Sequence, residues 1–423
     1  MSNHHLPVVV IGAGPVGLAA AAHLLARDLE PIVLEAGASA GSSILKWGHV
    51  RMFSPWHYSI DPEARRILEA ESWVSPDLDS YPTGRDLVEN YLKPLAQTKV
   101  LRRLIRYGSR VTAVTRLGKD IMKNQGREEA PFLIRVETEG GEEYDLLARA
   151  VIDASGTFEK PNPMGAHGLS VSGEKKVSEH IMYGIPDVLD LYRSRYAHQR
   201  ILVVGSGHSA LNVLQDLIRL KEKAPSTEVH WALRKASPDQ ALGGGKNDKL
   251  VERGRLGSHI RSLLDAGSLQ LHSEVHIEAL ESNDKGIIVK SSARTLPPVD
   301  EIIVATGFRP DLNMLAEIRL SLDAATQSPS QLAPLIDPNH HSCGTVRPHG
   351  AEELKHPEKD FYIVGMKSYG RAPTFLLLTG YEQVRSVVAA IAGDWEAARR
   401  VHLVLPETGV CSAKPKANKV CCG

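Results

Sequence analysis

Two short apolar runs in this chain are each released into a glycine turn. Pro7 to Ile11 leads into Gly12-Ala13-Gly14-Pro15-Val16-Gly17, and Arg200 to Val204 leads into Gly205-Ser206-Gly207-His208-Ser209-Ala210. Few folds accommodate such a pattern. It demands a strand buried on both faces, a turn free of Cβ atoms, and a helix that starts at once and lies close against the sheet. This is the opening of a βαβ dinucleotide-binding unit, and two copies predict two separate parallel sheets.

The first copy is complete. Gly12 lets the strand turn sharply, Gly14 removes a side chain that would collide with a pyrophosphate, and Gly17 permits close helix–strand approach. Pro15 falls in the first helical turn, where its missing N–H would have been unpaired, and the free amides around it suit an anion. The helix is rich in small residues, Ala19 to Ala22 among them. Pro31-Ile32-Val33-Leu34-Glu35 reads as the second strand. Its carboxylate stands roughly 20 residues beyond the glycines, where it can accept both hydroxyls of an adenosine ribose and disfavour a 2′-phosphate.

In the second copy Ala210 takes the third small position, and His208 and Ser209 open a helix carrying Leu211, Val213, Leu214, Leu217 and Ile218 with helical spacing. Its second strand, Glu228 to Leu233, ends in Arg234-Lys235 instead of a carboxylate. Positive charge there suits a 2′-phosphate and so favours NADPH over NADH. The alternative is an ordinary solvated basic pair.

Two chain returns predict the layout. Ala150 to Thr157 and Glu301 to Pro310 are apolar strands released into small-residue turns, at Gly156 and at Thr306-Gly307, where the chain can pass close to a cofactor. The second nucleotide domain is therefore expected as an insertion, 165–310, within a first domain formed by 1–164 and 311–397. Phe361 to Gly365 is a further strand ending beside the cofactor at Gly365. A helix beginning at Phe375 and continuing to Ala392 could aim amide donors at carbonyl oxygens of a bound cofactor or simply cover the sheet.

With 423 residues, 42% of them hydrophobic, the chain is long enough for two or three cores. Fifty basic residues balance fifty acidic ones, which provides no long-range attraction to nucleic acid or anionic lipid. No stretch approaches the roughly 18 apolar residues of a membrane span, and Met1-Ser2-Asn3-His4-His5 lacks a basic leader, so a cytoplasmic location is expected. The 4 cysteines do not make a disulfide framework: Cys343 stands alone, and Cys411, Cys421 and Cys422 fall in a polar tail, 398–423. Three thiolates on such a tail would suit a soft metal ion or trivalent arsenic; the alternative is a tail with oxidisable thiols and no ligand.

Taken in order, these features resemble the two-dinucleotide-binding flavoproteins, especially the flavin-containing and Baeyer–Villiger-like monooxygenases. Trp47 to Trp56, Tyr81 to Arg85, Tyr183 to Asp187 and Leu405 to Cys411 look like a bacterial group of such flavoproteins associated with arsenic resistance. The resemblance implies an α/β fold of two Rossmann-like domains, the NADPH domain inserted in the FAD domain. It carries FAD onto Gly12, Gly14, Gly17 and Glu35, and NADPH onto Gly205, Gly207 and Ala210. It also implies O₂ as co-substrate and oxygen transfer to a small molecule. The monooxygenase pattern places Phe-x-Gly before a histidine and an aromatic residue after it. Here Val177-Ser178-Glu179-His180 lacks the Phe-x-Gly, and Gly184 takes the aromatic position beside a displaced Tyr183, which argues against carbonyl oxygenation. No Cys-x-x-Cys lies beside the second motif, which argues against a dithiol relay.

Lys46 to Tyr58 mixes Trp47, Phe53, Trp56 and Tyr58 with His49, Arg51 and His57. Such a segment can wall a flavin, with Trp47 as aromatic surface, Arg51 as the cation that stabilises developing negative charge and His49 as proton donor or acceptor. The same aromatic residues would also suit an interdomain core. Gly243 to Lys249 could be a mobile cover or a surface excursion. The sequence thus predicts an FAD-dependent, NADPH-driven monooxygenase acting on a small sulfur, nitrogen or arsenic centre. The competing readings are a flavin oxidoreductase that reduces O₂ or a small acceptor, and a soft-metal-binding protein acting through the tail.

Overall fold

The computed structural model describes residues 5–239, 241–243, 250–339, 346–372 and 375–403. Its chain divides into two units, the first comprising Met1–Asn162, Phe308–Asp337 and Arg347–Leu405 and the second built around Pro163–Gly307. A five-stranded parallel sheet lies at the centre of each.

In the first unit the strand order is β15 (Phe361–Ile363), β7 (Ala150–Asp153), β1 (Val8–Ile11), β2 (Pro31–Leu34) and β3 (Ile105–Arg106). All four residues of β1 are buried, as a strand covered on both faces requires. On one face Val9 and Ile11 join Leu34, Val151 and Phe361 in a core shared with an antiparallel meander, β4 (Ser109–Arg116), β5 (Phe132–Thr138) and β6 (Glu143–Ala148). Val114, Phe132 and Ile134 supply its share. Each such fully buried side chain contributes roughly 1.5–3 kcal/mol relative to exposure. The helix Pro15–Leu25 is apolar nearly all round, and Leu18 through Ala22 are buried, so it has no solvent face to satisfy. Helix Leu377–Ile391 lies against it so closely that a Cβ on Gly380 would come within 2.6 Å of Val16.

In the second unit the order is β11 (Gln270–His272), β10 (Glu228–Ala232), β9 (Arg200–Val204), β14 (Glu301–Val304) and β8 (Ile181–Tyr183). Side chains of β9 alternate between two cores. Ile201 and Val203 pack with Leu211, Leu214 and Leu217 of helix His208–Lys223, while Leu202 and Val204 face the hairpin β12 (Ile277–Asn283) and β13 (Gly286–Ser291).

Both sheets grow outward in two directions from their first glycine-turn strand. The switch points lie between β1 and β7 and between β9 and β14, and ligands of open parallel sheets bind in the crevice at such points. The expected helix from Phe375 begins instead at Leu377. The Phe375 ring packs edge-on against Tyr369, 5.2 Å between centroids, and Leu376 caps the helix in an extended conformation. Among the described residues, no helix is long and apolar enough to cross a membrane.

Candidate functional site

The three glycines of the first turn have different physical reasons. Gly12 has φ +101°, and a Cβ there would stand 2.9 Å from the Ala154 carbonyl oxygen; one on Gly17 would come within 1.9 Å of the Gly12 oxygen. Gly14 differs: a Cβ would meet nothing within 4 Å, and its φ of −80° is available to any residue. Protein packing therefore explains two of the glycines, and the third keeps open the space in front of the helix. That helix has no side-chain cap and no acidic residue in its first turn, so its N-terminal amides remain available to an anion.

Glu35 closes the same edge. One carboxylate oxygen accepts the Ala13 N–H at 2.7 Å and the other the Gly37 N–H at 2.8 Å, which leaves further acceptor capacity on each. A cleft of about 340 Å³ opens beside Ala36, Gly37 and Ala38, with Arg110 also on its wall.

On the other side of β1, Asp153 ends β7 and begins the turn that carries Gly156, which has φ +71° and open space where a Cβ would be. Lys367 donates to Asp153 Oδ2 at 2.7 Å and to Ser155 Oγ at 3.0 Å. Gly365, φ +68°, lies against Val16 and donates its N–H to Gln383 Oε1 at 2.7 Å. The Gln383 amide nitrogen donates to Ser368 Oγ and to His349 Nε2, both at 2.9 Å. His349 must then carry its proton on Nδ1, which faces the Arg347 carbonyl oxygen at 3.1 Å.

The aromatic segment is held by a backbone ladder to 82–85: Met52 N–H to Pro82 O, Gly84 N–H to Val50 O and Arg85 N–H to Gly48 O, all at 2.8–3.0 Å. The Trp47 ring packs against Gly84, where a Cβ would meet it at 2.8 Å. Arg51 pairs with Thr83 through the backbone and presents an exposed side chain. His49 Nε2 is buried and has no hydrogen-bond partner.

The second turn repeats the logic in its own unit. A Cβ on Gly205, φ +139°, would stand 2.3 Å from the Ala305 oxygen, one on Gly207 would meet nothing within 4 Å, and Ala210 is fully buried. Helix His208–Lys223 starts at His208 and Ser209 without a side-chain cap or an acidic residue in its first turn. The Trp231 indole N–H donates to the Gly205 carbonyl at 2.7 Å and ties β10 to the turn. Arg234 and Lys235 are exposed just beyond β10, with Arg234 donating to the Ala166 carbonyl at 3.3 Å. Thr306 and Gly307, φ +84°, follow β14.

Cys411, Cys421 and Cys422 lie outside the described residues, as do 244–249 of the glycine-rich segment. Among the described residues, no group of three or more His, Cys, Asp or Glu side chains could hold a metal ion. Sequence reasoning passed over Lys367, Asp153, Gln383, His349 and Trp231. The only advance signal was a lone lysine shortly after an apolar strand and its glycine, Phe361 to Lys367.

A family model described as pyridine nucleotide-disulphide oxidoreductase matches residues 9–342. Flavin-containing monooxygenase FMO GS-OX-like 2 of Arabidopsis thaliana is 22% identical over 71% of this chain, which spans 60% of that protein's length. A ferredoxin–NADP reductase of Salinispora tropica is 27% identical over 76% of this chain and 79% of its own. Among solved structures, bacillithiol disulfide reductase from Bacillus cereus superimposes with a TM-score of 0.65 at 17% identity, covering 92% of this chain and 99% of that one.

Proposed function

The chain belongs to the pyridine nucleotide-disulphide oxidoreductase family, and from that premise we propose that it is an FAD-dependent, NADPH-driven monooxygenase that transfers oxygen to a small sulfur, nitrogen or arsenic centre. It is an oxidoreductase of two Rossmann-like domains whose cofactors are FAD and NADPH. We assign FAD to the discontinuous domain, 1–164 and 311–397, and NADPH to 165–310.

Both glycine turns fit a dinucleotide, because Gly14 and Gly207 hold open the space before an uncapped helix. A bound FAD would supply two-electron chemistry between NADPH and O₂. In this assignment Glu35 accepts the ribose hydroxyls with the capacity left by Ala13 and Gly37, while Arg234 and Lys235 receive the 2′-phosphate. Gly156 and Gly365 on one domain, and Thr306 and Gly307 on the other, let backbone approach the cofactors. Trp47 walls the reaction space and Arg51 offsets developing negative charge. His49 holds or moves a proton at Nε2.

The observation that supports this reading is the buried Nε2 of His49, which has no protein partner and lies on the same braced segment that exposes Arg51. A buried nitrogen in that condition is open to a hydrogen bond from a ligand or a water. NADPH and O₂ consumption with a panel of thiols, amines, ketones and trivalent arsenicals, with peroxide measured in parallel, tests it. Equal consumption of NADPH and O₂ coupled to an oxygenated product is expected, with little peroxide. Peroxide matching NADPH whatever the acceptor, or anaerobic NADPH turnover with a small oxidant, supports instead the reductase reading, which the similarity to a ferredoxin–NADP reductase favours.

A further inference from the structure

We infer that Lys367 is a positioning residue that holds the turn Ala154 to Thr157 in the shape FAD requires, acting through Asp153 and Ser155; this rests on the assignment of FAD to the first domain. Lys367 is 2% exposed and Asp153 fully buried. Removing two charges from water is costly, and apolar residues of similar volume usually serve stability as well or better. A pair retained in such a place is explained by what it orients.

Here the orientation is explicit. Asp153 Oδ1 accepts both the Ser155 N–H at 3.1 Å and the Ser155 hydroxyl at 2.6 Å, while Oδ2 accepts Lys367, which also donates to Ser155 Oγ. The turn is thereby closed on itself and tied across to the segment after β15. Its other neighbour is the glycine turn: the Ala154 N–H donates to Ile11 O at 3.0 Å, and the Ala154 carbonyl is the atom that a Cβ on Gly12 would strike. A shift of Ser155 is passed to Ala154 and so to Gly12, beside the space that Gly14 keeps open.

Lys367 itself is not free to follow. It sits in the 3-10 turn Gly365–Tyr369, where the Ser368 hydroxyl donates to Gly365 O at 2.7 Å and Gln383 grips both Gly365 and Ser368. The anchor is rigid, so the ammonium sets the position of the carboxylate and hydroxyl.

The test compares wild type with Lys367→Met, the double variant Asp153→Asn/Lys367→Met, and Ser155→Ala. For each deflavinated full-length protein, the FAD dissociation constant is measured by flavin fluorescence quenching and the thermal midpoint is measured separately. Lys367→Met is expected to lower the midpoint and to weaken FAD binding about tenfold or more, since a buried carboxylate loses its partner. In the double variant the orphaned charge is gone, so the midpoint recovers while FAD binding stays weak. Recovery of both in the double variant would overturn the inference, because the pair would then only neutralise itself. So would a lowered midpoint with unchanged affinity in Lys367→Met. Should these variants not fold, Ser155→Ala decides: weaker FAD binding at an unchanged midpoint supports the inference, and unchanged affinity refutes it. Failure of the wild-type protein to bind FAD would sink the cofactor assignment itself, a result distinct from all of these.

Discussion

At the scale of single residues, Gly14 and Gly17 are chemically identical and physically opposite. Gly17 is required by the protein, since its added Cβ would overlap the Gly12 carbonyl, whereas Gly14 has open space and an ordinary backbone conformation. Gly14→Ala should therefore leave the stability of the flavin-free protein unchanged or raise it by up to about 1 kcal/mol, from the reduced freedom of the unfolded chain, with the thermal midpoint following. It should weaken FAD retention at least about tenfold, as a methyl group enters the pyrophosphate space. Gly17→Ala should lower the midpoint even without flavin. Thermal melts of the flavin-free proteins beside FAD titrations separate the two effects, and equal midpoints would contradict the packing argument.

At the scale of elements, two histidines brace the segment that leads into β15. His356 is driven down to about 4 by burial, its Nδ1 accepting the Ser321 N–H at 3.2 Å, and His349 is lowered chiefly by burial as well. Protonating His349 would set an N–H against the Gln383 amide that it now accepts. Because both folded-state values lie below the ordinary 6.5, the unfolded chain takes up protons first as the pH falls. The contribution of each is complete above pH 6.5 and declines on acidification, for His356 by roughly 1 kcal/mol per pH unit down to about 4. Thermal melts between pH 7 and 5 should show the decline, and a His356→Phe variant should reduce it by the share of His356. At the tip of β10, Arg234→Ala/Lys235→Ala should raise the KM for NADPH about tenfold or more while leaving that for NADH nearly unchanged. An equal rise for both would reassign the pair to a solvated surface.

At the scale of the whole molecule, the discontinuous unit is stitched by contacts between segments far apart in the chain. Glu358 accepts Arg116 Nε at 2.8 Å and Arg127 Nη2 at 2.7 Å, and Arg116 lies over the Phe132 ring. All three charged side chains are buried. Burial by itself would raise the Glu358 carboxyl, and hydrogen bonds from Arg127 and Arg116 outweigh it and hold the group below its ordinary value. Glu358→Ala would strand two buried guanidinium groups and should cost about 3–5 kcal/mol, read as a large fall in the denaturant midpoint. A loss below about 1 kcal/mol would mean that water or neighbouring carbonyls replace the carboxylate.

Much of this protein is written in local sequence. Glycines followed by an apolar helix, a strand tip carrying Glu35 and another carrying Arg234 announce two α/β nucleotide folds, because strand burial, turn sterics and helix dipoles act over a few neighbouring residues. The meander β4 to β6 and the contacts of Lys367, Asp153, Gln383 and His349 had no such signature. Their partners come from segments as distant as 153 and 367, and an isolated lysine or aspartate reads as solvated until packing removes the water around it. The sequence by itself therefore determined the fold class and the nucleotide turns, and only the tertiary structure decided which buried polar groups hold those turns in shape.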